Sequence, residues 1–215
     1  MTTDTLTALD ELDRQIGHLV TLGYPAIAQL SEAAFTALFE PLRARAAELP
    51  TRASDEDRVP FVVVVKPSLV PHEAALPLTA LRGKAGFIDF KPGGLETFGA
   101  IDEVAGALPD GPVYVLVDVD TGTETLNVTP AEALETIRAH GRSPLTIEEG
   151  IALVTQRPDK LRKNRCFSLL ASRSGDKRVP ALWISQNRPK LGWCWERNPH
   201  TWLGSASCAG RVGGV

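Results

Sequence analysis

The chain has 215 residues, of which 43% are hydrophobic and 23% are charged, a composition typical of a folded globular protein and not of a disordered one. Its N-terminus is acidic and lacks the basic and apolar stretches of a secretion signal, and no segment approaches the roughly 18 uncharged apolar residues of a membrane span. We therefore predict a cytoplasmic protein, since three cysteines, an odd number, fit a reducing compartment better than a disulfide framework.

The order of the predicted elements is typical of an α+β fold rather than of a repeating βαβ fold. Helices are predicted from apolar residues at steps of three and four or from capping motifs, over 5–22, 31–49, 96–108, 129–140 and 146–157. Strands are predicted from apolar runs between turn residues, over 59–66, 84–90, 112–117, 166–171, 179–185 and 190–195. We expect N-terminal helices, a mixed central sheet, and a C-terminal antiparallel three-stranded meander with an ordered tail.

Prolines and polar residues indicate the boundaries in the N-terminal half. Residues 1–50 are predicted to form a helical segment and 59–215 an α+β domain, together one compact unit. Pro41 is expected to kink the second helix or to begin a new one, because proline lacks the N–H that an interior helical turn donates. Three closely spaced prolines predict an extended loop over 68–79.

The net charge of −3 conceals an uneven distribution of charge. Residues 157–215 carry a net charge of +9, and the rest of the chain carries −12. All four tryptophans and all three cysteines also lie in this basic segment. Such a segment indicates an anionic partner, or else it packs against the acidic part of its own chain, and both interpretations are open at this point.

Two acidic residues at the end of the strand predicted over 112–117 have a spacing used by phosphotransfer enzymes. Asp118 and Asp120 are two residues apart, so an extended strand places both carboxylates on one face, where magnesium could bind. The match to haloacid-dehalogenase-type phosphatases is poor, because Gly122 stands where those enzymes have threonine or valine. The calcium-loop spacing is also wrong, and a solvated turn is the alternative.

The basic segment contains a possible Cys₃His set, which consists of Cys166, Cys194, His200 and Cys208. Structural zinc sites contain at least one pair of cysteines two to four residues apart, and this set has none. Cys166 and Cys194 lie in apolar, strand-like surroundings, where a free cysteine packs as a small hydrophobic residue. We therefore predict no metal site and no cofactor.

Tryptophans alternate with basic residues in the predicted meander. Trp193 and Trp195 point to one face of their strand and Cys194 to the other, and Trp183 is expected on the same face as the two indoles. Aromatic side chains flanked by cations bind single-stranded nucleic acids, although core packing explains the same residues without a ligand. The predicted ligand-binding residues are Arg188, Lys190, Trp195, Arg197 and His200.

The segments NRCFSLLASRSGDKRVPALWIS and PKLGWCWERNPHTWLGSASCAGR resemble a family of uncharacterised actinobacterial proteins, a domain of unknown function. PLTIEEGIALVTQRP resembles the family's preceding helix, and GKAGFIDF is a weaker match. The resemblance covers most of the chain from about Val59 onward, and its last fifty residues are the specific part. It implies a soluble bacterial cytoplasmic protein and implies no activity, substrate or catalytic residue.

The tail and the lack of a complete catalytic set lead to the functional prediction. Trp202 is expected to anchor an ordered tail over 201–209, with Cys208 buried among small residues. We predict a non-enzymatic binding protein whose C-terminal sheet engages an anionic ligand, nucleic acid or protein, with no membrane contact and with the oligomeric state left open. The alternative is an enzyme of unrecognised type with a pocket near His72, His200 and Cys208.

Overall fold

The computed structural model describes residues 7–51, 53–90 and 94–214, which form an α+β fold. Its helices are α1 (Ala8–Thr21), α2 (Tyr24–Ile27), α3 (Glu32–Ala37), α4 (Glu40–Ala44), α5 (His72–Ala75), α6 (Asp102–Ala105), α7 (Pro130–Ala139) and α8 (Ile147–Gln156). Its strands are β1 (Arg58–Val65), β2 (Ala80–Leu81), β3 (Lys84–Ala85), β4 (Phe87–Ile88), β5 (Gly99–Ala100), β6 (Val113–Asp120), β7 (Ser143–Pro144), β8 (Cys166–Ser168), β9 (Ser172–Arg173), β10 (Arg178–Ser185), β11 (Arg188–Trp195), β12 (Leu203–Ser205), β13 (Ser207–Cys208) and β14 (Gly210–Gly213). None of the helices in the described ranges is long and apolar enough to cross a membrane.

The central sheet is built on two long valine-rich strands. β1 and β6 pair antiparallel, from Arg58 opposite Asp120 to Val65 opposite Val113. The other edge of β6 pairs with β13 and β14, and β13 pairs in turn with β7, again antiparallel. All the pairings of this sheet are antiparallel, whereas the sequence pattern predicted a mixed central sheet.

The C-terminal sheet has the strand order β12-β8-β10-β11-β4. Its centre is the predicted meander, since β8, β10 and β11 pair antiparallel in chain order. The outer strands β4 and β12 pair in parallel with their neighbours, so the mixed sheet is this one. The smaller pairs β2-β3 and β5-β9 complete the strand pairing.

The tail is ordered, as predicted, and it connects the two sheets. β12 joins the C-terminal sheet beside β8, and β13 and β14 then complete the central sheet beside β6. Gly122, in the turn after β6, has a φ of +79°, and a Cβ built on it would lie 2.0 Å from the carbonyl oxygen of Ser205. Glycine is required there by its left-handed backbone and by the close approach of the tail. Cys208 is fully buried, as its small neighbours predict.

Side-chain caps begin the three long helices. The side chains of Thr7, Thr129 and Thr146 each accept a hydrogen bond from the backbone N–H of the residue three positions later. That later residue is acidic, and its carboxylate accepts a hydrogen bond from the backbone N–H of the threonine. The starts predicted for α7 and α8 are confirmed. Residues 5 and 6 of the first predicted helix lie outside the described residues. Pro41 lies in the first turn of α4, so the second predicted helix is divided in two.

Three predicted segments are more irregular than the sequence pattern indicates. The loop over 68–79 contains α5 and a 3₁₀ turn. The strand over 84–90 is divided into β3 and β4 at Gly86, where a Cβ would lie 2.5 Å from the carbonyl oxygen of Leu76. The helix over 96–108 is reduced to α6, since a 3₁₀ turn and β5 precede it.

One continuous core includes the N-terminal helices and both sheets. Leu12 and Ile16 of α1 belong to the same buried cluster as Phe61 of β1, Leu182 of β10 and Leu203 of β12. Burial of such side chains is the main stabilising contribution in a domain of this size. The division of the chain at residue 59 stays a prediction.

A buried ion pair fixes β14 to α8. The side chains of Arg211 and Glu149 are 3% and 0% exposed, and hydrogen bonds of 2.6 and 2.8 Å join them. Glu149 also accepts hydrogen bonds from the hydroxyl of Tyr114 and from the backbone N–H of Thr146, each at 2.8 Å. Burial acts to lower the pKa of Arg211, but the hydrogen bonds and charge of Glu149 outweigh it and raise that pKa, so the guanidinium stays charged.

Candidate functional site

The register of β10 and β11 assigns the tryptophans of the meander to opposite faces of the C-terminal sheet. Trp183 lies opposite Lys190, and residues paired across an antiparallel ladder share a face. Trp193 and Trp195 are an odd number of residues from Lys190, so they point to the other face, where their rings meet edge to face at 4.8 Å. The prediction that the three tryptophans share a face is wrong, because the sequence pattern placed the turn between β10 and β11 at 187–189. The two-residue turn of Gln186 and Asn187 shifts the pairing by an odd number of residues.

An open groove with a volume of about 750 Å³ lies on the Trp183 face. We call it the tryptophan groove, and it is lined by Trp183 of β10, Trp202 of the tail and Cys166 of β8, together with residues of the turns near 82, 163 and 186. The rings of Trp183 and Trp202 meet edge to face at 6.2 Å. Both side chains are half-buried, so part of each indole surface remains open to solvent.

The local sequence explains how the two indoles are held. A Cβ on Gly192 would lie 2.3 Å from the ring of Trp183, so the indole covers a strand position that has no side chain. On the tail side, the ring of His200 packs against Trp202 at 5.0 Å. Partial burial lowers the pKa of His200, so this ring is neutral at pH 7. Three aromatic rings therefore follow one another from the groove toward the surface of the tail.

Tight turns at the rim of the groove carry residues with left-handed backbones. The φ angles are +53° at Arg82, +62° at Asn164, +55° at Gln186 and +59° at Asn187, and all four residues line the groove. Asparagine adopts this region readily, whereas arginine and glutamine do so uncommonly. The rim therefore combines a guanidinium with three amide groups, each of which can donate and accept hydrogen bonds.

Cations without ion partners lie at the rim of the groove. Arg82 and Lys163 are exposed, and neither forms an ion pair with another described residue. Arg162 also lines the groove and pairs with Glu56 and, at 2.5 Å, with Asp57. Its Nε is buried and has no hydrogen-bond partner among the described residues. The rim therefore retains positive charge that the protein itself does not neutralise.

The acidic residue of the lining is already neutralised. Asp159 forms a salt bridge of 2.8 Å with Arg157 and a contact of 3.4 Å with the buried Lys160. The hydrogen bond from Arg157 holds the pKa of Asp159 below its usual range. An anion in the groove would therefore face an ion pair at this point and not an isolated carboxylate.

Two of the predicted ligand-binding residues lie on the Trp183 face beside the groove. The Nζ of Lys190 is 5.1 Å from the centre of the Trp183 ring and 2.5 Å from a carboxylate oxygen of Asp89. The guanidinium of Arg188 lies over the ring of Phe87 at 4.7 Å. Both cations are therefore held against aromatic rings, and the third predicted residue, His200, packs against Trp202 of the groove.

The other two predicted residues, Trp195 and Arg197, lie away from the groove. Trp195 is 51% exposed on the opposite face of the sheet and packs against Trp193. Arg197 is exposed and has no ion pair with a described residue. The structure thus places Trp195 on the face opposite Arg188 and Lys190, and Arg197 lies in the turn that follows β11.

The acidic part of the chain neutralises only a portion of the basic segment. Arg162, Lys190 and Arg211 pair with acids from the first 156 residues. Within the described ranges, four exposed cations of the basic segment have no ion pair, namely Lys163, Arg165, Lys177 and Arg197. Packing against the protein's own acids therefore accounts for part of the charge asymmetry and leaves these cations available to a partner.

The residues of the alternative enzyme pocket lie on different elements. His72 begins α5 and is 3.3 Å from Glu148 of α8, His200 packs against Trp202, and Cys208 belongs to β13 in the central sheet. Burial raises the pKa of Cys208 to about 12, so its thiol is protonated at neutral pH. A nucleophilic cysteine would need the thiolate form, which this site disfavours.

The two aspartates considered for phosphotransfer are tied into ion pairs. Asp118 is 2.8 Å from Arg142 and Asp120 is 2.9 Å from Arg58. The φ of +52° at Asp118 breaks the extended conformation from which the common face was predicted. All three cysteines are free, and in the part of the chain that the structure describes no group of three or more His, Cys, Asp or Glu residues could hold a metal ion.

Sequence reasoning missed the residues of the groove rim, and it assigned Trp202 only an anchoring role. Arg82 is followed by Gly83 between two short strands, which is a hairpin signal that could have placed this arginine at a turn. No comparable signal marks Asn164 or Gln186 as neighbours of Arg82, because the three turns are brought together only by the tertiary fold.

Comparison with protein-family models gives a match over residues 18–214. The chain belongs to DUF5701, a family of unknown function. This confirms the resemblance to an uncharacterised family. No curated protein and no solved structure gives a significant match. The DUF5701 match begins inside α1 and includes all residues of the tryptophan groove, so the groove is part of the family domain.

Proposed function

We propose that this protein is a non-enzymatic binding protein that takes a nucleotide, free or within a single-stranded nucleic acid, into the tryptophan groove. The observation that carries the proposal is that Trp183 and Trp202 share one groove with unpaired cations and amide groups. Indole faces stack on nucleobases of any identity, and nearby cations neutralise phosphates. Stacking of one base is worth about 1–3 kcal/mol, which two partly open indoles could supply.

The rim supplies the remaining parts of such a site. The amide groups of Asn164, Gln186 and Asn187 match the donors and acceptors on the edge of a base. Arg82 and Lys163 are exposed at the same rim and would hold the phosphate. An uncharged aromatic ligand would leave these cations without a function, which favours a ligand that carries both a ring and a negative charge.

Several finer expectations belong to this proposal and rest on the sequence. These are the cytoplasmic location, the actinobacterial origin and the participation of Arg188, Lys190, Trp195, Arg197 and His200 in binding. Lys190 lies over the ring of Trp183 and His200 packs against Trp202, so both contact an indole of the groove, which supports the proposal. The enzyme with a pocket near His72, His200 and Cys208 is kept as the alternative, and no observed contact favours it.

Titration of the protein with AMP, UMP and a ten-residue oligouridylate tests the proposal, with tryptophan fluorescence and calorimetry as readouts. We expect Arg82→Ala/Lys163→Ala to raise the Kd at least tenfold, because two phosphate contacts are lost. The matched control Arg14→Ala/Arg138→Ala removes the same charge from α1 and α7 and should leave the Kd within about twofold. Circular dichroism checks that both double variants are folded.

The two sources of the nucleotide differ in their response to salt. The affinity for a single strand of which Z phosphates are neutralised falls with rising salt, with a logarithmic slope of about −0.7Z. A mononucleotide presents a single phosphate, so its affinity should depend only weakly on salt. Tighter binding of the oligomer with a steep slope assigns nucleic acid as the ligand, and equal binding assigns the free nucleotide. No binding of any probe at 1 mM, or equal binding by the groove variant and the wild type, would overturn the proposal.

A further inference from the structure

The rings of the tryptophan groove continue into a longer row across the same face of the C-terminal sheet. The Nζ of Lys190 lies 5.1 Å from the centre of the Trp183 ring and 5.7 Å from the centre of the Phe87 ring. On the other side of Trp183 follow the rings of Trp202, at 6.2 Å, and of His200. We call these five residues, from His200 to Phe87, the aromatic row. All five side chains are half-buried, so each has surface open to solvent.

The strand order gives the length of the aromatic row. Trp202 directly precedes β12, Trp183 lies on β10, and Phe87 lies on β4. In the sheet order β12-β8-β10-β11-β4 the first and last of these positions are four strand intervals apart, which at about 4.8 Å for each interval is about 19 Å. Successive nucleotides of a stacked strand are about 3.4 Å apart, so the row matches about six nucleotides and is much longer than one.

Two arginines lie at the Phe87 end of the aromatic row. The guanidinium of Arg188 lies over the Phe87 ring at 4.7 Å, and its Nε donates to the carbonyl of Ala85 at 2.6 Å. Ala85 belongs to the β2-β3 hairpin, whose turn carries Arg82. No ion pair joins either arginine to an acidic residue in the described ranges. Phosphates can therefore be neutralised at this end, and the guanidinium plane of Arg188 adds a stacking surface.

A further cation lies at the Trp202 end, whereas the middle of the aromatic row is neutral. The N–H of Cys166 donates to the carbonyl of Trp202 at 3.0 Å, and Lys163, three residues before Cys166, is exposed at the rim of the groove. In the middle of the row, Lys190 is paired with Asp89 at 2.5 Å. A single phosphate can contact only one end of the row, whereas a chain of phosphates can contact both.

We propose that the ligand is a single-stranded nucleic acid, about six nucleotides of which lie along the aromatic row with their bases on the rings and their phosphates toward the cations at both ends. This inference rests on the proposed nucleotide-binding function and specifies its ligand. Phe87 and Arg188 are not among the residues that line the tryptophan groove, so they form an additional subsite that a free nucleotide in the groove does not use. In a duplex the bases are paired and stacked on one another, so their faces are not available to the row.

The length dependence of binding tests the inference in the wild-type protein. The probes are UMP, diuridylate and hexauridylate, with tryptophan fluorescence as the readout. Hexauridylate should bind at least tenfold more tightly than diuridylate, because only the longer strand extends from Trp202 to Phe87. A twelve-base-pair RNA duplex is the control, and it should bind at least tenfold more weakly than hexauridylate at the same salt concentration.

Removal of the ring at Phe87 tests the additional subsite. Phe87→Leu keeps an apolar side chain but loses one stacking surface, so the preference for hexauridylate over diuridylate should fall at least fivefold. The matched control Phe87→Tyr retains a ring and should keep the preference within about twofold of the wild-type value. Circular dichroism checks that both variants are folded, and the wild-type length series decides the question if either is not.

Three results would overturn this inference: a wild-type preference below tenfold, an unchanged preference in folded Phe87→Leu, or binding of the duplex as tight as that of hexauridylate. In each of these cases, binding of UMP or diuridylate leaves the proposed function in place. No binding of UMP, diuridylate or hexauridylate at 1 mM would refute the proposed function itself, and this inference with it.

Discussion

Removal of one partner from the buried ion pair between Arg211 and Glu149 should destabilise the protein strongly. In Arg211→Met the carboxylate of Glu149 keeps its hydrogen bonds from Tyr114 and Thr146 but loses the guanidinium bonded to it, at a site where both side chains are almost fully buried. Breaking a buried pair in this way costs about 3–5 kcal/mol. For a chain of this size that corresponds to a decrease in Tm of about 6–20 °C.

A double-mutant cycle separates the charge interaction from the loss of packing. Glu149→Gln keeps the shape of the side chain and leaves Arg211 buried without a countercharge, so it should also be strongly destabilising. The double variant Arg211→Met/Glu149→Gln buries neither charge and should be more stable than the sum of the single changes predicts, by about 1–3 kcal/mol.

Urea unfolding, followed by circular dichroism, gives the free energy of unfolding for the four proteins of the cycle. Arg138→Met is the matched control, because Arg138 pairs with Glu103 at a position where its side chain is 41% exposed. Such a surface pair contributes about 0–1 kcal/mol. A decrease of less than about 1 kcal/mol in the free energy of unfolding for Arg211→Met, or additive effects of the two single changes, would show that this ion pair does not hold β14 in place.

Two further changes test the close approach of the tail and the pH dependence of stability. Gly122→Ala should lower the free energy of unfolding by about 2–4 kcal/mol in urea unfolding, because the new side chain combines a φ of +79° with a clash against Ser205. The control Gly175→Ala has the same φ in open space and should lower it by about 1 kcal/mol. Equal decreases for the two variants would contradict the clash. Burial acts to raise the pKa of Glu148, but the hydrogen bond from His72 and further hydrogen bonds outweigh it and hold that pKa below its ordinary 4.5. Because the pKa of Glu148 is lower in the folded than in the unfolded protein, its stabilising contribution is present above pH 4.5 and is lost as the pH falls through the folded pKa. The difference in free energy of unfolding between wild type and Glu148→Gln should therefore shrink from pH 7 to pH 3. An unchanged difference would refute this assignment.

The sequence predicted correctly those helices and strands that are marked by a short pattern of neighbouring residues. The capping threonines of α7 and α8, the proline that begins α4 and the valine run of β1 all carry their information within a few residues. The α+β class and the C-terminal meander followed from the order of these elements. Pairing between distant segments has no such signal, so the antiparallel central sheet could not be recognised.

The candidate site shows the same division between local and distant information. Tryptophans and cations near the C-terminus were recognised from composition, but the face on which each lies depends on the register of one hairpin. Placing the turn at 187–189 instead of at 186–187 changed the register by three residues and moved Trp183 to the wrong face. The rim was missed because Arg82 and Asn164 are 82 positions apart in the chain and meet Gln186 only in the folded protein.

The strands contributed by the tail have a consequence for how this protein is made. β6 can pair with β1 early in synthesis, but its second edge stays open until residues 207–213 have left the ribosome. In that interval a valine-rich strand exposes unpaired backbone groups, a state that favours association with other chains. Ribosomal pausing after β6 should therefore reduce the yield of native protein, and a chaperone that shields this edge should restore it.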